Sequence, residues 1–93
     1  MSALRLEVDG ELDLATAPAL LDRVRAAVAG HPPAVVLDLA DVTFCDSSGI
    51  NALIDAQAYA TRSGIPLRVV NAQRATRRAL EVTGVLSLLT GRP

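Results

Sequence analysis

The sequence predicts an α/β domain whose mixed sheet opens with a β-hairpin and has helices packed against it. The chain has 93 residues, which is the length of one small domain with a single core. Its first residues alternate between apolar and charged side chains, which indicates strands. Further on, apolar segments of strand length alternate with segments of helical periodicity. We therefore expect the element order β-β-α-β-α-β-α, followed by a short tail.

The first predicted element is the hairpin. From Leu4 to Leu14 the even positions are apolar or glycine and the odd positions are charged. This pattern is typical of a sheet with one buried face and one wet face. Asp9-Gly10 lies in the middle of the segment and can supply the positive-φ residues of a two-residue turn. We therefore expect a strand, a turn at Asp9-Gly10 and a second strand.

The first helix and the next strand follow. Thr16 is suited to cap a helix, Pro18 fits its first turn, and Gly30 with two later prolines ends it. Residues 34–39 are short, β-branched and mostly apolar on both faces. This composition predicts a central strand that is covered on both sides.

Two further helices and a strand complete the order. Ser47 is expected to cap a helix that runs from about residue 48 to 62. A β-rich segment over 65–71 predicts a strand. Asn71 is then expected to cap a third helix that ends near 82. Residues 85–89 form a short apolar tail, either a last strand or a turn of helix.

The composition excludes several classes of protein. Nine basic residues, all arginine, balance ten acidic ones, and Phe44 and Tyr59 are the only aromatic residues, which argues against a nucleic-acid binder. A lone Cys45, interpreted as a small buried apolar residue, excludes a disulfide framework. A lone His31 beside prolines gives no basis for a metal centre or a histidine triad. No apolar segment is long enough for membrane insertion.

The segment Asp46-Ser47-Ser48-Gly49 is the most informative one for function. It lies between an apolar strand and a helix, where a phosphate would meet the positive end of the helix dipole. Two adjacent hydroxyls at this position suggest a phosphoacceptor. On the residues alone, a simple cap and turn remains the alternative interpretation.

Three segments together carry a family resemblance. They are Gly10-Glu11-Leu12-Asp13 with Thr16-Ala17, Leu37-Asp38-Leu39 with Phe44-Cys45-Asp46-Ser47-Ser48-Gly49-Ile50, and Leu80-Glu81-Val82-Thr83-Gly84-Val85. On these segments the chain resembles an anti-sigma factor antagonist of the STAS domain family. The resemblance implies one STAS domain over residues 1–93, with a four- to five-stranded sheet flanked by three or four helices. Family members continue into a further strand and helix, so we expect the C-terminal strand or helix to be shortened here.

The resemblance also implies a function. The unphosphorylated protein would bind an anti-sigma factor that is also a serine kinase, and a sigma factor would be released. The kinase would phosphorylate the antagonist with ATP, and a metal-dependent serine phosphatase would reverse the reaction. This makes the chain a cytoplasmic bacterial regulator without a cofactor, rather than an enzyme. The resemblance is compatible with either a monomer or a homodimer.

The matching motif assigns the site residues. The modified hydroxyl is the residue directly before the glycine, which is Ser48 here. The residues expected to surround it are Asp13, Asp46, Ser47 and Gly49. The helix after the motif is expected to contact the partner through Ile50, Asn51 and Asp55.

Two other functions remain as alternatives. A STAS domain could serve as a scaffold subunit of a membrane transport complex, without a phosphorylation switch, although the intact Asp-Ser-Ser-Gly segment weighs against this. An enzyme with a serine nucleophile is disfavoured, because the sequence has no G-x-S-x-G elbow and its single histidine lies in a loop far from the serines.

Overall fold

A computed structural model describes residues 2–82 of the chain. Helices and strands alternate along it. The elements are β1 Leu4–Leu12, α1 Ala17–Ala29, β2 Val35–Cys45, α2 Ser47–Arg62, β3 Leu67–Val70 and α3 Arg74–Val82. The predicted tail over 85–89 lies outside the described residues.

The described part of the sheet has three strands in the order β1-β2-β3, and both neighbouring pairs are parallel. Residues 2–82 therefore do not form the predicted mixed sheet of four to five strands. β2 is the central strand, as predicted, and it extends to Cys45 rather than ending at 39. Because the strands are parallel, their carboxyl ends meet at one edge of the sheet. The segments that lead into α1 and α2 leave from this edge.

The predicted hairpin at Asp9-Gly10 is wrong. β1 continues through this pair as one strand, and each of its partners in the register lies on β2. The register shifts on both sides of the pair, and Gly10 has a φ of +71°. The glycine thus accommodates an irregularity in the ladder, which locally bends and twists a strand. The alternation correctly indicated a strand with one buried face, but it did not reveal which segment pairs with that strand.

The predicted start of the third helix is also wrong. Asn71 has a left-handed backbone with a φ of +59°, and α3 begins three residues later, at Arg74. The Asn71 side chain donates a hydrogen bond from Nδ2 to Asp38 Oδ1 at 3.2 Å, so it is used between strands rather than at the helix end. The first helix begins directly after Thr16 and ends before Gly30, as predicted, but the Thr16 side chain makes no cap hydrogen bond.

One aliphatic core joins the sheet to the helices. Fully buried leucines come from every layer of the described fold, and they are Leu12, Leu37, Leu39, Leu53 and Leu80. α1 and α2 pack against each other and against the sheet. This packing fixes the start of α2 against the carboxyl ends of β1 and β2.

Asp38 on β2 joins Arg5 of β1 to Asn71, the residue that directly follows β3. Its Oδ1 accepts from the Ala40 amide at 2.9 Å and from Asn71, and its other carboxylate oxygen pairs with Arg5. The hydrogen bond from Ala40, followed by those from Arg5 and Asn71, lowers the pKa of Asp38 below its usual value of 3.8. Its ionised form is therefore stabilised in the folded chain.

We expect Asp38→Asn to lower the free energy of unfolding near neutral pH, because the native state favours the carboxylate. This contribution is present above the unfolded pKa and is lost as the pH falls through the lower folded pKa. The difference between wild type and variant in urea unfolding should thus shrink below about pH 4. A difference that stays constant with pH would contradict the role of the Asp38 charge.

Candidate functional site

Asp46 joins the start of α2 to the end of β1. Its backbone amide donates to the Leu12 carbonyl at 3.3 Å, and its own carbonyl accepts the first helical hydrogen bond, from Ile50 at 3.0 Å. Its side-chain Oδ1 accepts from the Gly49 amide at 3.1 Å. Asp46 is therefore the N-cap of α2, and the predicted cap at Ser47 is wrong. The reason is that Asp46 still has extended backbone, whereas Ser47 is already helical.

Ser47 and Ser48 occupy the first two helical positions. Ser47 is exposed and Ser48 is half-buried. Within residues 2–82 neither hydroxyl makes a hydrogen bond to the protein. Amides in a first helical turn have no partner within the helix. Since Asp46 accepts from the amides of Gly49 and Ile50, a group attached to Ser48 would lie near the remaining amides of Ser47 and Ser48 at the positive end of α2.

Gly49 lets α2 pack directly on the strand ends. A Cβ atom added to it would lie 2.3 Å from the Leu12 carbonyl oxygen and 2.8 Å from Cys45 Sγ. Both distances are far shorter than van der Waals contact, so no larger residue fits here without movement of the helix or the strand. The sequence placed Gly49 at the site, but this close approach was not foreseen.

Asp13 lies in the β1–α1 loop, which we define as residues 13–16. Its Oδ1 accepts from the amides of Ala15 at 3.0 Å and Thr16 at 3.1 Å, which closes a tight local turn. Asp13 directly follows Leu12, whose carbonyl contacts the start of α2. The structure thus brings this loop and the Ser48 turn to the same edge of the sheet.

The residues expected to contact a partner are placed differently from one another. Asn51 and Asp55 are exposed and one helical turn apart on α2. Ile50 is only 7% exposed and belongs to the core. The exposed face of α2 near Ser48 is therefore polar.

Cys45, the last residue of β2, lies beside Gly49 at the start of α2. Burial, together with the Asp46 carboxylate, raises the pKa of the Cys45 thiol to about 11, so this half-buried group is protonated at neutral pH. No cluster of potential metal ligands occurs among residues 2–82. Over the same residues, no α-helix combines the length and hydrophobicity that a bilayer span requires.

We expect Asp46→Ala to reduce the free energy of unfolding by about 1 kcal/mol, because the Gly49 amide loses its acceptor. Asp46→Asn is the matched control, since asparagine caps a helix about as well and removes only the charge. Urea unfolding of the two variants separates the cap from the charge. Equal losses in both would show that the capping hydrogen bond is not the stabilising contact.

The chain matches a family model and curated relatives. The model is described as "Mlab, STAS domain" and matches residues 1–90. The anti-sigma-F factor antagonist RsfB of Mycobacterium tuberculosis is 35% identical over 80 residues, which are 86% of this chain and 65% of RsfB. The chain thus spans less than two thirds of the length of this relative.

Solved structures agree with these matches. An anti-sigma factor antagonist from Mycobacterium paratuberculosis aligns with a TM-score of 0.80 and 36% identity, over 91% of this chain and 72% of that one. A sulfate transporter family protein from Wolinella succinogenes aligns with a TM-score of 0.81 at 20% identity, over 96% and 72%. The second likeness concerns the fold alone.

Proposed function

Because the chain belongs to the STAS domain family, we propose that it is an anti-sigma factor antagonist switched by phosphorylation of Ser48. In its unphosphorylated form it binds an anti-sigma factor serine kinase, and a sigma factor is released. The kinase inactivates it with ATP, and a serine phosphatase restores it, all in the bacterial cytoplasm. In this cycle the chain is a regulator and a substrate rather than an enzyme.

The observation that carries this proposal is the position of the Ser48 hydroxyl. It is partly accessible, makes no hydrogen bond to any group of residues 2–82 and lies in the first turn of α2. A kinase can therefore take the hydroxyl without first breaking a native contact. The matches to two mycobacterial antagonists at 35% and 36% identity support the role of an anti-sigma factor antagonist.

The switch follows from charge. A phosphoserine adds about −1.5 to −2 charges at neutral pH. The dipole of α2 and the amides of Ser47 and Ser48 accommodate this charge in the isolated chain, so the fold is retained. At an interface the same dianion must be desolvated beside the carboxylate of Asp46, which caps the same turn, and this opposes binding.

The partner surface is proposed to include the exposed part of α2 that follows Ser48. Asn51 and Asp55 supply polar contacts on this surface, and Ile50 beneath them supports the first turn. Phosphorylation at Ser48 then changes the charge at one end of this surface.

Affinity capture from the native lysate tests the proposal. The baits are wild type, Ser48→Ala, Ser48→Asp and the control Ser47→Asp, which places the same charge one residue away on an exposed position. A kinase-like protein bound by all baits except Ser48→Asp supports the switch. The same proteins on every bait would contradict it and favour a transport-complex scaffold.

A further inference from the structure

Leu14 is displayed to solvent in an unusual way. Among residues 2–82 three large apolar side chains are exposed, and Leu14 is the most exposed of them at 77%, compared with 49% for Phe44 and 40% for Leu4. It stands in the short β1–α1 loop, where a polar residue or glycine would be the ordinary choice. Most of the Leu14 side chain is therefore accessible to another molecule.

The loop that carries Leu14 is held rigidly on both sides of it. Before Leu14, the Asp13 amide donates to Thr16 Oγ1 at 2.9 Å, and Asp13 Oδ1 accepts two amides of the loop. After Leu14, Thr16 Oγ1 donates to the Glu11 carbonyl at 2.8 Å. Thr16 makes no side-chain cap for α1, so its hydroxyl is devoted to this loop. A residue displayed on such an ordered loop loses little conformational entropy on binding.

The loop also lies beside the proposed switch. Leu12 is two residues before Leu14. Its carbonyl oxygen accepts from the Asp46 amide and would clash with any side chain at Gly49. Two residues span at most about 7 Å of chain. The backbone of Leu14 therefore lies at the same edge of the sheet as the start of α2.

We propose that Leu14 is an apolar anchor that inserts into a pocket on the anti-sigma factor kinase, and that Thr16 positions it. This inference rests on the proposed function and deepens it by naming a contact outside α2. The exposed Glu11 and the Asp13 carboxylate flank the anchor. The pocket that receives Leu14 is thus expected to be apolar with a basic rim.

The direct test uses the purified kinase that the wild-type chain captures. Its affinity for Leu14→Ser should fall at least about tenfold, because the variant no longer buries the apolar surface of a leucine in the pocket. Leu4→Ser is the matched control, because Leu4 is also exposed but lies at the opposite end of β1. Its affinity should stay within about twofold of wild type. Equal effects of the two variants would overturn the proposal.

A second test separates positioning from general stability. Thr16→Val removes the hydroxyl and should weaken binding several-fold, whereas Thr16→Ser should restore it. Because Thr16 acts through Leu14, Thr16→Val should cause no further loss in the Leu14→Ser background. A full additional loss there would show that Thr16 does not work through Leu14.

The outcomes distinguish this inference from the proposed function. If Ser48→Asp loses the kinase but Leu14→Ser keeps wild-type affinity, the anchor fails and the switch stands. If the wild-type chain captures no kinase, both fail. Circular dichroism of Leu14→Ser should match wild type, because the side chain is outside the core.

Discussion

Replacing Gly49 by alanine is expected to reduce the free energy of unfolding by about 3 kcal/mol. The added methyl group would lie 2.3 Å from the Leu12 carbonyl oxygen, and a backbone atom cannot rotate away as a flexible side chain can. Either the first turn of α2 must unwind or the end of β1 must shift, and overpacking of this kind costs on the order of 1–3 kcal/mol. Urea unfolding of the purified chain measures the loss.

Gly30→Ala is the control for that experiment. Gly30 has a φ of −82°, and an added Cβ would approach nothing closer than 3.5 Å, which is ordinary contact. Its effect on the unfolding free energy should stay within about 0.5 kcal/mol of zero. If Gly49→Ala were as mild as Gly30→Ala, the tight packing of α2 on the strand ends would be refuted.

Placing a negative charge at Ser48 should lower the affinity for the kinase by about a hundredfold, which corresponds to about 2.7 kcal/mol. The charge would have to be buried beside the carboxylate of Asp46, whose side chain already caps the same turn. Ser48→Ala removes only a hydroxyl that makes no hydrogen bond within residues 2–82, so this variant should bind the kinase as tightly as wild type does. Titration calorimetry with the purified kinase gives the affinities.

Ser47→Asp is the matched charge control for this titration. Ser47 is exposed and precedes Ser48 on α2, so its added charge stays in water and its effect should be a few-fold at most. Comparable losses for the charges at 47 and 48 would mean that overall negative charge, and not the Ser48 position, governs binding.

The sequence predicted the helices of this fold better than its strand pairing. The apolar periodicity and the flanking Thr16 and Gly30 predict the bounds of α1 correctly, although the Thr16 side chain makes no cap hydrogen bond. Asp9-Gly10 has the local chemistry of a turn, yet the pair lies within β1. Which strand is the neighbour depends on long-range contacts with β2, and the alternation of β1 is compatible with either partner.

In the candidate site, too, the sequence predicts the local structure but not the tertiary contacts. The residues around Asp46-Ser47-Ser48-Gly49 predict a helix start correctly, but they favour Ser47 as the cap, one residue after the observed cap at Asp46. Both aspartate and serine are good caps, so the choice is settled by backbone geometry where β2 ends. The contact of Gly49 with Leu12 and the exposure of Leu14 arise from tertiary packing, so no local sequence pattern predicts them.

The most direct test of the account is the location of the phosphate after the purified kinase acts on this chain with ATP. Mass spectrometry of the digested product should place one phosphate on Ser48, and the phosphorylated chain should no longer form a complex with the kinase in gel filtration. Phosphatase treatment should restore the complex. A phosphate on Ser47, or a phosphorylated Ser48 that leaves the complex intact, would contradict the switch.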